Sequence, residues 1–275
     1  MNLYVSNLVA GLENGLDDVD LLMRSVAPFR GQAGIEFFLH THSSRYMCLM
    51  ENVPSWLEGL PAAAHGPFIG IDATSPQGSK EQKDLLQAYR YAFNMTKRLQ
   101  SSHLVVHTHQ RVIEPWEKEQ AQRDCFNNLK LLSDMGEDAG VTLAIENLGI
   151  QRRGVSLFDQ TDFQELFQRF PKADCLIDTG HLLVAGWNMA EVLCALSKKI
   201  RGYHLHDNDG RADSHLRIGK GRFDFPAFFS LYRRYTPEAD ITLEYSDCRG
   251  ITAQDIHDDL AYVLRGISSK EDAVK

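Results

Sequence analysis

The chain has no apolar run approaching the roughly 18 to 20 residues needed to span a bilayer. It also has no low-complexity tract and no linker rich in Pro, Gly or Ser. Its five cysteines (Cys48, Cys125, Cys175, Cys194 and Cys248) are odd in number and scattered, with no CxxC pair. That argues against a disulfide framework or a zinc finger and for a reducing cytoplasm. Positive charge is in deficit: 29 Lys and Arg against 37 Asp and Glu leave a net charge of −8. Broad, nonspecific binding to nucleic acid or anionic membrane is therefore disfavoured, although a local basic patch is compatible with it. The opening MNLYVSNLVAGLENG lacks a basic region and a cleavage pattern, so it reads as a mature N-terminus.

What is present is ordinary in bulk and regular in pattern. Of the 275 residues, 43% are hydrophobic and 24% charged, as in soluble globular proteins, and the length suffices for a large core. Strand-like and helix-like segments alternate. Short apolar runs at Leu3–Val9, Ala33–Leu39, Leu60–His65, Leu104–Val106, Val141–Ile145, Cys175–Ile177, Ile200–Leu205 and Ile241–Leu243 read as strands. Between them lie helical spacings at Asp17–Val26, Ser79–Gln100, Trp116–Ala139, Asp159–Phe170, Asn188–Ser197, Phe225–Tyr235 and Thr252–Gly266. From the fourth strand on, the runs are continuous rather than alternating, as expected of strands covered on both faces. Eight such units favour an α/β fold of (β/α)8 barrel type over residues 1–268, with a polar tail at 269–275. A doubly wound open sheet competes, but it gathers ligands at one switch crevice, whereas here acids and histidines end almost every strand from the third on.

In a barrel those strand ends meet at one mouth. The third strand delivers His65, the fourth His107, the fifth Glu146, and the sixth Asp178 followed by His181. The seventh ends in His204, with His206 and Asp207 close behind, its loop adds Asp213 and His215, and the eighth gives Glu244. One strand-end histidine is more often a hydrogen-bonded structural residue. An unpaired buried carboxylate, however, costs several kcal/mol, and the joint pattern over six consecutive strands points to metal. A set this large could hold one divalent ion (Mn, Zn or Mg) or as many as three. Glu36 reads either as an inward partner of a ligand or as an outward, salt-bridged charge. His103 reads as structural and His257 as solvated, while His40, His42 and His109 lie past strand ends as lesser candidates for touching the site. Arg211, Arg217, Lys220 and Arg222 beside Gly219 and Gly221, with Arg152 and Arg153 in the fifth loop, suggest a phosphate or anion pocket.

At HGPFIGIDATSP, VVHTH, AIEN, IDTGH, HLHDNDGRADSHLRIGKG and LEY, in that order, the chain resembles the xylose isomerase-like TIM-barrel superfamily. That group holds sugar (phosphate) isomerases and epimerases and the endonuclease IV type of AP endonuclease. In the epimerase branch the resemblance implies four metal ligands, Glu146, Asp178, His204 and Glu244, with Glu146 and Glu244 also acting as acid and base on opposite sides of the sugar. In the endonuclease branch it implies His65, His107, His181, Asp213 and His215 as further ligands. The loop from His204 to Asp213 is shorter than is usual for the endonuclease, and AGIEFFLHTH is similar to the "GIE" strand of the sugar enzymes.

The expectation is therefore a divalent-metal-dependent isomerase or epimerase of a sugar or sugar phosphate, working through an enediolate on a small anionic carbohydrate. Arg211, Arg217 and Lys220 are the candidate phosphate contacts. A metal-dependent phosphodiester hydrolase acting at abasic DNA is the alternative, and a non-catalytic sugar- or metal-binding barrel a third. A homo-oligomer is left open.

Overall fold

The computed structural model describes residues 1–11, 19–57, 59–149, 154–246 and 250–269. Arg152, Arg153, Cys248 and the tail from position 270 lie outside the described residues. Eight parallel strands close on themselves in chain order: β1 Leu3–Ser6, β2 Ala33–Phe38, β3 Ala62–His65, β4 His103–His107, β5 Thr142–Glu146, β6 Asp174–Asp178, β7 Ile200–Leu205 and β8 Asp240–Leu243. The longer helices are α1 Val19–Val26, α4 Lys80–Arg98, α5 Lys118–Ala139, α6 Gln160–Arg169, α9 Phe225–Tyr235 and α10 Ala253–Ser268, with shorter α2 Ser44–Met50, α3 Val53–Trp56, α7 Thr179–Ala185 and α8 Met189–Ala195. The predicted (β/α)8 barrel is the fold observed. No helix among the described residues is long and apolar enough to cross a membrane.

Local chemistry sets most boundaries. Ser79 caps α4 by accepting from the Gln82 amide, Asp159 and Thr252 form capping boxes at α6 and α10, and Gly140 ends α5 in the left-handed region. The segment after β2, irregular as a sequence, folds into α2 and α3, whose four to seven residues are too few to show a helical period. The same holds for α7, which begins directly at the end of β6 because the Asp178 side chain caps it through the His181 amide. His257 is tied rather than solvated, its Nε2 lying 2.8 Å from the Arg24 carbonyl.

The register decides what enters the barrel. Side chains of paired residues in a parallel sheet share a face. His107 pairs with Glu146, Asp178 with His204, and His204 with Thr242, so these side chains belong to one inward set. Beneath them Val105, Ala144 and Leu176 form a small apolar plug, separate from the large core between strands and helices. The barrel is thus solid below and polar at the C-terminal mouth. Closure also depends on close approach at β2: a Cβ on Gly34 would stand 1.8 Å from the Pro61 carbonyl oxygen. Gly34→Ala is expected to cost about 1–3 kcal/mol through forced strand displacement, seen as a fall in thermal midpoint with little change at the distant mouth; an unchanged midpoint would refute this packing.

Candidate metal centre

The sequence-predicted donors converge. Glu146, at the end of β5, is 1% exposed and sits at the hub. Its Oε2 lies 3.0 Å from His107 Nε2 and 3.4 Å from His65 Nε2, and its Oε1 lies 3.4 Å from His181 Nδ1 and 3.5 Å from His204 Nδ1. Glu244 Oε2 is 3.3 Å from His204 Nδ1 and 3.4 Å from His215 Nδ1. Asp213 Oδ2 is 3.1 Å from both His181 Nε2 and His215 Nε2. Donor atoms fall into sets lying within 4.8 Å of one another: Glu146, Asp178, His204 and Glu244; His65, His107 and Glu146; and His181, His206, Asp213 and His215.

The imidazoles are oriented from behind. His65 Nδ1 donates to the Gly66 carbonyl (2.8 Å), His181 Nδ1 to the Asn147 carbonyl (2.9 Å) and His215 Nδ1 to the Glu244 carbonyl (3.0 Å), while His107 Nδ1 is 3.2 Å from Gln110 Oε1. Each of these rings then presents Nε2 to a carboxylate. His204 is turned the other way. Its Nε2 meets Glu36 Oε1 at 3.0 Å, and its Nδ1 faces Glu146 and Glu244. Glu36 is therefore inward and buried, with Oε2 accepting from Thr242 Oγ1. Fixing one ring nitrogen so that the other offers a lone pair is how proteins prepare histidine for a metal. Both oxygens of Glu146, His65 Nε2 and His204 Nδ1 are buried without a hydrogen-bond partner among the described residues. Such atoms fit divalent cations: Glu146 and His204 belong to one donor set, and His65 to the sets adjoining it.

Without a cation, protons take its place. Burial opposes ionisation of Glu146, but the imidazoles of His107 and His204 outweigh it and hold the carboxyl well below its usual range. Burial likewise opposes charge on His181 and His204, yet Asp178 and Asp213 raise the first, and Glu244, Glu36 and Glu146 the second, well above the ordinary imidazole range. His215, against burial, is pushed up to about 9 by Asp213 and Glu244. His215 also holds a left-handed φ of 42°, unusual outside glycine and a mark of local strain.

Other sequence expectations shift. His109 is buried and lines the mouth, and burial lowers it to about 4. His103 is the first residue of β4, likewise buried and lowered to about 4 by burial, consistent with a structural role. His40 is buried beside Phe38 and Tyr46, and neither it nor His42 lines the mouth cavity. That cavity holds about 500 Å³ between Leu8, Phe68, Glu146, His181, Arg211, Asp213 and Glu244, among others. Of the three predicted phosphate contacts only Arg211 lines it. Arg217 is instead locked onto α10, with Nε 2.9 Å from Asp259 Oδ2 and Nη1 2.6 Å from Asp255 Oδ1, and Lys220 is exposed outside the cavity. The expected anion nest at Gly219–Gly221 is filled from within: Asp207 accepts from the amides of Asn208, Gly221 and Phe223 at 2.8 to 3.0 Å. The strand-end pattern assigned no role to Asp207 or to His206. The signal available was that both follow an apolar run directly, where a charge must find a buried partner.

A family model described as a xylose isomerase-like TIM barrel matches residues 57–265, and the chain belongs to that family. An uncharacterized protein of Methanocaldococcus jannaschii is 26% identical over 169 residues, which are 62% of this chain and 64% of that protein, so the chain spans just under two thirds of this relative. Among solved structures, a D-tagatose 3-epimerase-like protein superposes with a TM-score of 0.77 at 21% identity, covering 97% of this chain and 98% of that one. The IOLI protein, solved with a binding zinc atom, gives 0.73 at 16% identity with full coverage of both chains. At these identities the shared feature is the fold.

Cation uptake must displace the protons that the raised imidazoles carry, so affinity should rise as pH rises through their pKa values. Zn2+ titration calorimetry in buffers of different ionisation enthalpy should show net proton release at about pH 7, and binding should tighten toward about pH 9. Affinity that is flat or falls over that interval would contradict the assignment.

Proposed function

We propose that this protein is a divalent-metal-dependent isomerase or epimerase of a small carbohydrate. One observation carries the reading: Glu146 and Glu244 both face His204 Nδ1, at 3.5 and 3.3 Å, at the base of a cavity of about 500 Å³. That volume suits a small molecule. The D-tagatose 3-epimerase-like protein among the similar structures supports the same substrate class.

A divalent ion held by Glu146, Asp178, His204 and Glu244 would supply Lewis-acid polarisation of adjacent substrate oxygens. The two glutamates do the proton work: one removes the proton alpha to the carbonyl and ends the turnover protonated, while the other, first given a proton by an adjoining raised imidazole such as His204, returns that proton to the enediolate. Glu244 meets His204 and His215 through Oε2, which leaves Oε1 for this role. Phe68 and Leu8 form apolar wall on the cavity and limit water there, while Arg211 and His181 face the same space and bind substrate oxygens. With Arg217 and the Gly221 amide already committed, Arg211 is the one of the three candidate phosphate contacts left to meet an anionic group in the cavity.

A second reading is favoured by the further donor sets, His65–His107–Glu146, His65–His204–Glu244 and His181–His206–Asp213–His215. Three ions together suit a phosphodiester hydrolase, in which metals activate water and stabilise the leaving oxygen. The two readings part on measurable grounds. Under the first, one ion per chain suffices, and Glu146→Gln and Glu244→Gln each reduce solvent-deuterium incorporation into ketoses by at least about 100-fold. Full exchange in both variants would end that reading. Three zinc ions with nicking of abasic duplex would establish the second.

A further inference from the structure

We infer that His206 is a positioning residue that orients Asp178 and thereby sets the cation affinity of the Glu146–Asp178–His204–Glu244 group; the inference rests on the metal reading of that group. His206 follows β7 and is wholly buried. Its Nε2 lies 3.0 Å from both Oδ1 and Oδ2 of Asp178. Its Nδ1 is buried without a hydrogen-bond partner among the described residues, so the proton with an acceptor is the one on Nε2. His206 does not line the mouth cavity, which separates its role from contact with substrate.

The ring has a built seat. It stacks on His215 with centroids 3.9 Å apart and planes at 15°, and it meets His181 edge-on at 5.9 Å. On its other side runs the backbone of Gly180: a Cβ there would stand 1.9 Å from His206 Cε1. The glycine of the DTGH stretch thus makes room for this imidazole, since the φ of Gly180 is not among the left-handed ones.

Asp178 needs such support. It is fully buried at the end of β6, and its Oδ1 already accepts from the His181 amide at 2.6 Å. Asn147 fixes its backbone, accepting from the Asp178 amide at 2.7 Å and donating to its carbonyl at 3.1 Å. Those contacts restrain the carboxylate through Oδ1 alone and give Oδ2 no donor. A donor equidistant from both oxygens adds a second restraint on the carboxylate, whose donor atom lies within 4.8 Å of those of Glu146, His204 and Glu244. Groups that orient a metal ligand in this way typically alter affinity by about 10- to 100-fold. His206 also ties the central group to its neighbour, because Asp213 Oδ1 is 3.6 Å from the same Nε2.

The test uses the full-length protein, with Zn2+ and Mn2+ affinities measured by chelator competition, stoichiometry by elemental analysis, and the thermal midpoint of the metal-free form. His206→Phe keeps a stacking ring and removes the donor; His206→Gln restores a donor near the Nε2 position. The expected result is a loss of about 10- to 100-fold in affinity for the Phe variant, recovery to within about threefold of wild type for Gln, and a metal-free midpoint that falls for Phe, which leaves Asp178 buried without its imidazole, and returns toward wild type for Gln, with both variants folded at the assay temperature. Wild-type affinity in the Phe variant overturns the inference and leaves the metal reading intact. So does loss of one whole ion equivalent with the others unchanged, which makes His206 a ligand, or a Gln variant as weak as Phe. Failure of wild-type protein to bind either ion removes both the reading and the inference.

Discussion

Everything at the mouth of this barrel depends on keeping several carboxylates ionised away from water. Glu36, Glu146, Asp178 and Glu244 are each at most 3% exposed. An isolated buried carboxylate would cost several kcal/mol. Here each has an imidazole nitrogen at 3.0 to 3.3 Å. Other imidazoles of the mouth, His65, His181 and His215, are in turn anchored through Nδ1 to carbonyl oxygens. Lone pairs of acids and rings are thereby forced to face one another, and such an array is stable only with a cation between them, proton or metal. The raised histidines and lowered glutamate are the proton-filled form of that requirement.

A parallel barrel is well suited to building this array. Its register sets the inward side chains of neighbouring strands side by side, and its C-terminal ends open into loops that need not continue the hydrogen-bond ladder. His107, Glu146, Asp178 and His204 are delivered by strands and share the precision of the sheet. Asp213 and His215 come from a loop held by the Asp207–Leu216 bridge and by Asp207 itself, whose carboxylate gathers three amides. That internal carboxylate explains why a glycine-bracketed loop with many cations is not the anion nest its composition suggests.

The fold and most of the donor set were legible in the sequence because both follow from short-range pattern. Continuous apolar runs ending in His, Asp or Glu can be placed on strand ends, and eight of them at even spacing restrict the topology. The helices α2, α3 and α7 were not legible, having four to seven residues and no full period of their own, whereas α8, equally short, lies inside the helical spacing at Asn188–Ser197. Nor was the division of labour among the basic residues. Arg211 and Arg217 sit in the same loop with similar neighbours, yet one lines the cavity and the other is captured by Asp255 and Asp259 of a helix some forty positions away.

The sequence by itself determined the barrel, the strand that carries each candidate donor and the acidic, histidine-rich character of its mouth, because hydrophobic periodicity and strand-end position are local properties. Tertiary structure alone decided which ring nitrogen faces which acid, that Glu36 turns inward to His204, and that His206 grips Asp178 over the bare backbone of Gly180. Those outcomes depend on angles and distances of a few ångströms between segments far apart in the chain, and no spacing along one strand encodes them.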